Sequence, residues 1–167
     1  MVKQALEKDP AVKFMMQKME EAGCGVGPEF FRVEHCEAQV GGGFRVPDGV
    51  VVCHNHLSSG EEVRHALLHE LVHAYDHCRA ADLDWSRCEH HACSEVRAAA
   101  LSGDCNWKME LFRGNLGLAA QHRACARRRA LISVSMNPAC QGGRAQRAVA
   151  AAFERCFADT APFERIP

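Results

Sequence analysis

Apolar residues recur at three- and four-residue intervals in several segments of the chain, a spacing that places them on one face of an α-helix. In the first segment Val12, Met15 and Met19 form such a face. In the second, Ser59 followed three residues later by Glu62 is a capping-box signature, which predicts that a helix begins there. The predicted helices cover residues 10–22, about 59–77, about 91–101, about 107 into the 120s, and about 144–157.

Between the first two helices the chain is rich in β-branched and aromatic residues, which predicts short strands at residues 30–33, 44–46 and 50–53. Residues 41–43 are all glycine and indicate a bend or bulge, and residues 47–49 (Pro-Asp-Gly) indicate a turn. We predict a small antiparallel sheet. Its last strand would be an edge strand to which a peptide could add, although an ordinary core strand fits equally well. A helix, a small sheet and then further helices predict the α+β class.

Length and composition restrict the class of protein further. The 167 residues suit one domain, and 47% apolar residues suffice for a core. With 20 basic and 21 acidic residues, the balanced charge argues against a nucleic-acid partner. No apolar run reaches the roughly 18–20 residues of a membrane span, and the N-terminus lacks a secretory signal. We divide the predicted domain into a helix and sheet (13–60), central helices (60–105) and a C-terminal helical part (106–167).

Ten cysteines and ten histidines are unusual for a chain of this length. The cysteines are scattered from Cys24 to Cys156, and no two of them form the CxxC pair that is common in structural zinc sites. Such scattering favours a set of disulfides over buried thiols, and the pairing cannot be deduced from the sequence. Oxidation of a chain without a secretory signal then needs an explanation.

Residues 69–73 (His-Glu-Leu-Val-His) form an HExxH motif. On a helix, His69 and His73 differ by about 40° in rotation and about 6 Å along the axis, so both imidazoles can bind one Zn²⁺. Glu70 is too short to reach the metal with them but can act as the general base that deprotonates a metal-bound water. The motif follows a predicted strand on an amphipathic helix, which predicts a zincin-like fold with one catalytic zinc. The alternative is a helix whose histidines are merely solvated.

A catalytic zinc needs a third protein ligand and an open fourth position. Glu95 lies 22 residues beyond His73 on the next predicted helix, and we predict it as the third ligand because one class of zincins has a glutamate there. The competing side chains are Asp76, His77, His90 and His91. Asp76 could instead accept a hydrogen bond from a metal-binding imidazole or lie at the surface. Residues 53–56 (Cys-His-Asn-His) could supply ligands but fit a strand end and loop better.

Three segments together resemble the mitochondrial inner-membrane metalloprotease family that processes and assembles the ATP synthase. They are His69–Arg79 (HELVHAYDHCR), Ala92–Cys105 (ACSEVRAAALSGDC) and Phe153–Pro167 (FERCFADTAPFERIP). The resemblance extends from about Lys13 to the C-terminus. It implies that His69 and His73 bind the metal and that Glu70 is catalytic. Glu95 falls in the shared SEVRA segment, and its role as a ligand remains an inference from geometry.

The resemblance also implies a location and a partner. Members of the family face the intermembrane space and associate peripherally with the inner membrane. In some organisms they remove the leader of a membrane-embedded ATP synthase subunit. They also assist assembly of the synthase, with or without proteolysis. They are oxidised on import without a cleaved presequence, which would explain disulfides here. One departure is that Val33 replaces the first cysteine of the family's CxxC, of which Cys36 is the second. Cys88 is an additional cysteine, so three possibilities stay open: one family bridge is missing, it is rewired, or a thiol is free.

Three functions are therefore weighed. The first is a zinc metalloendopeptidase of the intermembrane space with a protein substrate. The second is an assembly chaperone on the same fold that does not need catalysis. The third is a cysteine- and histidine-rich metal-binding module, which would hold more than one tight zinc per chain. The cleavage site, the native substrate and the oligomeric state cannot be predicted from the sequence.

Overall fold

A computed structural model describes residues 1–105 and 121–167 of the chain. The chain forms two compact units, Met1–Ala81 and Asp82–Pro167. The helix predicted to begin near Trp107 lies outside the described residues as far as residue 120. The described part combines helices with a small sheet, as the α+β prediction requires, whereas the predicted division into parts of a single domain stays a prediction.

The first unit contains three α-helices among its described residues: α1 (Val2–Lys8), α2 (Pro10–Glu21) and α3 (Gly60–Arg79). Helix α2 begins where the Asp9 carboxylate accepts the backbone N–H groups of Ala11 and Val12, both at 3.0 Å, which is the role of an N-cap residue. Its predicted apolar face, which includes Met15 and Met19, is buried. Helix α1 was not predicted; it is only seven residues long, and none of them is fully buried.

A three-stranded sheet completes the first unit, with strands β1 (Phe31–Glu34), β2 (Gly42–Arg45) and β3 (Gly49–Cys53). The strand order is β1-β3-β2, with β1 parallel and β2 antiparallel to β3. The prediction of an antiparallel sheet is therefore wrong for one of the two pairings. Of the two interpretations of the last strand, the edge strand is wrong and the core strand is confirmed, because β3 is the central strand and all five of its residues are buried. The glycines predicted as a bend include Gly42 and Gly43, which are part of β2.

The sequence between neighbouring strands predicts only one of the two strand pairings. The turn at residues 46–48 joins β2 to β3 directly, and so short a connection produces an antiparallel hairpin. Strand β1 pairs with the other side of β3, with Phe31 opposite Val50. The disulfide between Cys36 and Cys53 connects the chain just beyond β1 to the carboxyl end of β3, as suits parallel strands. Pairings of this kind are long-range and leave no mark on the pattern of neighbouring residues.

The described part of the second unit contains α4 (Cys88–Leu101), α5 (Gln121–Met136) and α6 (Arg144–Ala158). Helices predicted near 91–101 and 144–157 are confirmed. Helix α4 begins three residues earlier than predicted because its N-cap, Arg87, makes no capping hydrogen bond and so gives no sequence signal. Helix α4 packs against both α5 and α6. Small residues such as Ala92 and Ala98 are fully buried on it, which allows close approach of the neighbouring helices.

Buried Arg97 holds the segment that follows α6. Its side chain is 1% exposed and forms an ion pair of 2.7 Å with Asp159. The guanidinium also donates hydrogen bonds to the backbone carbonyls of Asp159 and Ala161. The C-terminal segment is thereby fastened to α4.

Every cysteine of the chain is in a disulfide. The pairs are Cys24–Cys78, Cys36–Cys53, Cys88–Cys140, Cys93–Cys156 and Cys105–Cys125. Of the possibilities left open, a free thiol is excluded, because the additional Cys88 pairs with Cys140 and Cys36 pairs with Cys53 in place of a CxxC partner. Among the described residues, no helix has the length and apolarity that a bilayer crossing requires.

Candidate metal centre

Helix α3 carries all three residues of the HExxH motif. It starts with the predicted capping box, in which the Ser59 hydroxyl accepts the backbone N–H of Glu62 and the Glu62 carboxylate accepts the backbone N–H of Ser59. The rings of His69 and His73 lie one above the other on this helix, with centroids 4.8 Å apart and planes at 78°. Glu70 and His73 are 7% and 6% exposed, so the motif does not consist of solvated side chains.

Strand β2 lies directly against Glu70. A Cβ atom placed on Gly42 would be 3.4 Å from Glu70 Cγ, 3.7 Å from Glu70 Oε1 and only 2.6 Å from the carbonyl oxygen of Val51. Contacts under 3.0 Å are not tolerated, so the backbone at this position approaches the Val51 carbonyl of β3 as only glycine permits, whereas the distances to Glu70 are those of ordinary van der Waals contact. At the next position, Gly43, an added Cβ would meet nothing within 4 Å. The role of Gly42 beside Glu70 was not predicted, because the sequence shows only a run of glycines.

Helix α4 carries Glu95, which is 5% exposed. Two donors converge on one of its oxygens. The Ser133 hydroxyl on α5 donates to Oε1, and Nε2 of His91, one turn earlier on α4, lies 3.2 Å from the same atom. Ser133 is 38 residues away in the chain, so it could not have been found by spacing.

The ligand atoms of His69, His73 and Glu95 lie within 4.8 Å of one another, so this group could hold a metal ion. Two neutral imidazoles and one carboxylate are a donor set that Zn²⁺ accepts in catalytic sites, where a fourth position stays open for water or substrate. The chemistry of the donors therefore fits the predicted ion, and the assignment of the three side chains as ligands stays a prediction.

The competing ligands have other surroundings. Asp76 is 3% exposed and accepts a hydrogen bond from Arg79 Nε at 3.2 Å, so its placement at the surface is wrong. His77 packs against Phe44, with ring centroids 5.8 Å apart. Nδ1 of His90 accepts the backbone N–H of Asp84 at 3.1 Å.

Cys53 is the last residue of β3, and His54–His56 form a short 3₁₀ helix. This agrees with the prediction of a strand end in this segment. Cys53 is in a disulfide and is not a ligand. His56 Nε2 lies 3.0 Å from the carbonyl oxygen of Cys36.

The model of the peptidase M76 family matches residues 1–164. The chain belongs to this family. Three curated relatives are similar to this chain over most of its length. The "Mitochondrial inner membrane protease ATP23" of Yarrowia lipolytica is 40% identical over 159 residues, which are 94% of this chain and 63% of the relative. The protein of the same name from Meyerozyma guilliermondii is 42% identical, over 94% of this chain and 65% of the relative.

The "Mitochondrial inner membrane protease ATP23 homolog" of Homo sapiens is 42% identical over 165 residues, which are 97% of this chain and 67% of the relative. The chain thus spans just under two thirds of the length of the two yeast relatives and about two thirds of the length of the human relative. No solved structure matches the chain significantly.

Proposed function

We propose that this chain is a zinc metalloendopeptidase with a zincin-like fold. The observation that carries the proposal is the grouping of His69, His73 and Glu95 within 4.8 Å, with Glu70 on the same helix as the two histidines. Membership of a peptidase family supports a proteolytic reaction. An amphipathic helix after a strand, with the motif on it, supports the zincin-like arrangement.

In this proposal each side chain has a separate role. His69 and His73 would hold the ion through ring nitrogens and Glu95 through a carboxylate oxygen. A bound zinc supplies Lewis-acid activation of water and of the scissile carbonyl. Glu70 accepts the proton of the attacking water on its carboxylate and passes it to the leaving amine, which makes it first a general base and then a general acid. Its burial keeps this carboxylate out of bulk water.

The substrate strand can be proposed from the sheet. Among the described residues β2 pairs with β3 on one edge and with no strand on the other. Because β2 contacts Glu70 through Gly42, we propose that a peptide adds to β2 rather than to β3, where the sequence had suggested it. An extended peptide at this edge would run past the catalytic glutamate.

The names of the relatives support a location at the mitochondrial inner membrane. We therefore propose peripheral association with that membrane on its intermembrane-space side. We further propose that the substrate is the precursor of a membrane subunit of the ATP synthase, and that the chain assists ATP synthase assembly. Disulfide bonding of all the cysteines agrees with an oxidising compartment.

The proposed chemistry is tested with Glu70→Gln. Removing the general base should lower cleavage of the precursor by at least about 100-fold, because proton transfer of this kind contributes about 10²–10⁴-fold. The matched control is Glu61→Gln, an exposed glutamate in the first turn of the same helix, which should cleave at the normal rate. Zinc content, measured on the oxidised protein, should be one ion per chain in both variants.

Other outcomes point to the alternatives. Unchanged cleavage by Glu70→Gln would contradict the proposed mechanism. Lost cleavage with retained ATP synthase assembly in cells would assign the assembly role to a chaperone activity of the same fold. More than one tightly bound zinc per chain would favour the metal-binding module.

A further inference from the structure

We propose that His91, Asn137 and Ser133 form a hydrogen-bonded support that positions the Glu95 carboxylate for metal binding. This inference rests on the proposed function, because it gives Glu95 the role of a ligand. All members of the support belong to the second unit and surround one buried carboxylate. None of them was assigned a supporting role by the sequence, in which His91 was a competing ligand.

Asn137 sets the direction of the network. Its Oδ1 accepts the backbone N–H of Ala139 at 2.9 Å, where the residue caps the short 3₁₀ helix Pro138–Cys140. The oxygen end of the amide is thereby identified, and the NH₂ end must face the other way. Nδ2 lies 3.1 Å from the carbonyl oxygen of Trp85 and 3.1 Å from Nδ1 of His91. With two hydrogens, it donates to both.

The orientation of Asn137 determines the tautomer of His91. A neutral imidazole has one donor and one acceptor nitrogen. Because Nδ1 accepts the hydrogen bond of Asn137, the proton lies on Nε2, which faces Glu95 Oε1 at 3.2 Å. His91 is therefore a donor to the carboxylate. A donor nitrogen directed at Glu95 cannot at the same time bind a metal with that nitrogen, so the geometry assigns His91 to support rather than ligation.

Ser133 adds a second donor from a different helix. Its hydroxyl donates to the same oxygen, Oε1, so the carboxylate is held from α4 and from α5. Hydrogen bonds to an ionised carboxylate are stronger than neutral ones, and a buried carboxylate without donors would be costly. Two donors on one oxygen set the rotation of the group. Such outer partners of metal ligands typically change metal affinity by 10- to 100-fold when removed.

The test compares zinc affinity, measured by chelator competition on the oxidised, metal-free chain, among matched variants. His91→Leu removes one donor and should raise the zinc Kd by about 10- to 100-fold. His91→Gln retains an N–H close to the position of Nε2 and should recover most of that loss. His90→Leu, at the neighbouring histidine that accepts from Asp84 instead, should bind zinc with normal affinity.

Ser133→Ala provides a second variant with little risk of misfolding, and it should also weaken zinc binding by about 10-fold or more. Its control is Ser135→Ala, an exposed position on the same helix. Thermal unfolding of the metal-free proteins distinguishes a positioning role of His91 from a purely structural one. If the role were purely structural, His91→Leu would have a lower Tm, and His91→Gln would not recover the zinc affinity. The visible spectrum of the Co²⁺-substituted protein should change in His91→Leu and Ser133→Ala and stay normal in both controls.

The possible failures can be told apart. Normal zinc affinity in both His91→Leu and Ser133→Ala, with weakened binding in Glu95→Gln, would overturn the support while leaving the proposed metal centre intact. Wild-type protein that binds no zinc, or a Glu95→Gln variant that binds it normally, would overturn both. Nitrogen-15 NMR of the metal-free chain, at a pH where free imidazole is neutral, gives an independent check. A proton on Nδ1 of His91 would contradict the network whatever the metal does.

Discussion

At the scale of single residues, the proposed active site depends on side chains that are buried and held. Glu70 lies where a Cβ atom on Gly42 of β2 would touch it, and Glu95 receives two hydrogen bonds on one oxygen. Arg97, two residues beyond Glu95, is paired with Asp159 at the far side of α4. Small changes at these positions should alter geometry before they alter stability, since packed surroundings transmit displacements of a few tenths of an ångström.

Gly42→Ala is expected to displace the general base. The new methyl group would lie 2.6 Å from the Val51 carbonyl oxygen, so β2 must shift relative to β3, and it would already touch Glu70 Cγ at 3.4 Å, so this shift should displace the glutamate. Misplacement of a catalytic group by about 1 Å can cost about 10²-fold, and we expect the rate of precursor cleavage to fall by about 10- to 100-fold with zinc content retained. Gly43→Ala is the matched control, because its methyl group meets nothing within 4 Å. Equal rates for the two variants would refute this role of Gly42.

At the scale of elements, local signals determined helices better than strands. The capping box at Ser59 and the apolar face of α2 are properties of residues three or four apart, and both appear in the structure. Strand order depends on which surfaces are covered. For the hydrophobic β3 both an edge and a core position were open, and the structure places it at the centre, with β1 and β2 on its two edges and all five of its residues buried. The glycines of β2 have no side chains to reveal a strand.

Ser59→Ala should destabilise the helix that carries the motif. The variant loses the hydroxyl that accepts the Glu62 N–H at 3.2 Å, and loss of an N-cap costs about 1 kcal/mol. Urea unfolding of the oxidised protein should show this decrease in the free energy of unfolding. Ser58→Ala is the control, since Ser58 contributes its backbone N–H to Glu62 and not a side-chain bond. A decrease of similar size in the control would mean that the cap is not the cause.

At the scale of the whole molecule, the pairing of the cysteines is the feature that the sequence reveals least. Two disulfides lie within the first unit and three within the second. They join residues between 17 and 63 positions apart, so they restrict the unfolded chain over long loops. By the chain-entropy model longer loops stabilise more, by roughly 3 kcal/mol for a 15-residue loop and more beyond.

Replacing both members of the Cys88–Cys140 pair by serine should lower the free energy of unfolding by about 4 kcal/mol, because its loop spans 52 residues. The matched comparison is the double serine variant of Cys36–Cys53, whose 17-residue loop predicts a smaller decrease. Denaturant unfolding without reductant measures both. A larger decrease for the shorter loop would show that native contacts, and not loop length, dominate.

By itself the sequence determined the helix that carries the HExxH motif, the start of that helix and the α+β class, because these depend on the spacing of neighbouring residues. It also predicted Glu95 as a ligand. Only the tertiary structure decided the mixed sheet, the disulfide pairs, the approach of Gly42 to Glu70 and the hydrogen bond from Ser133 to Glu95. The physical reason is distance along the chain. Partners 17 to 63 residues apart are brought together by packing of whole elements, and the local order of residues carries no record of it.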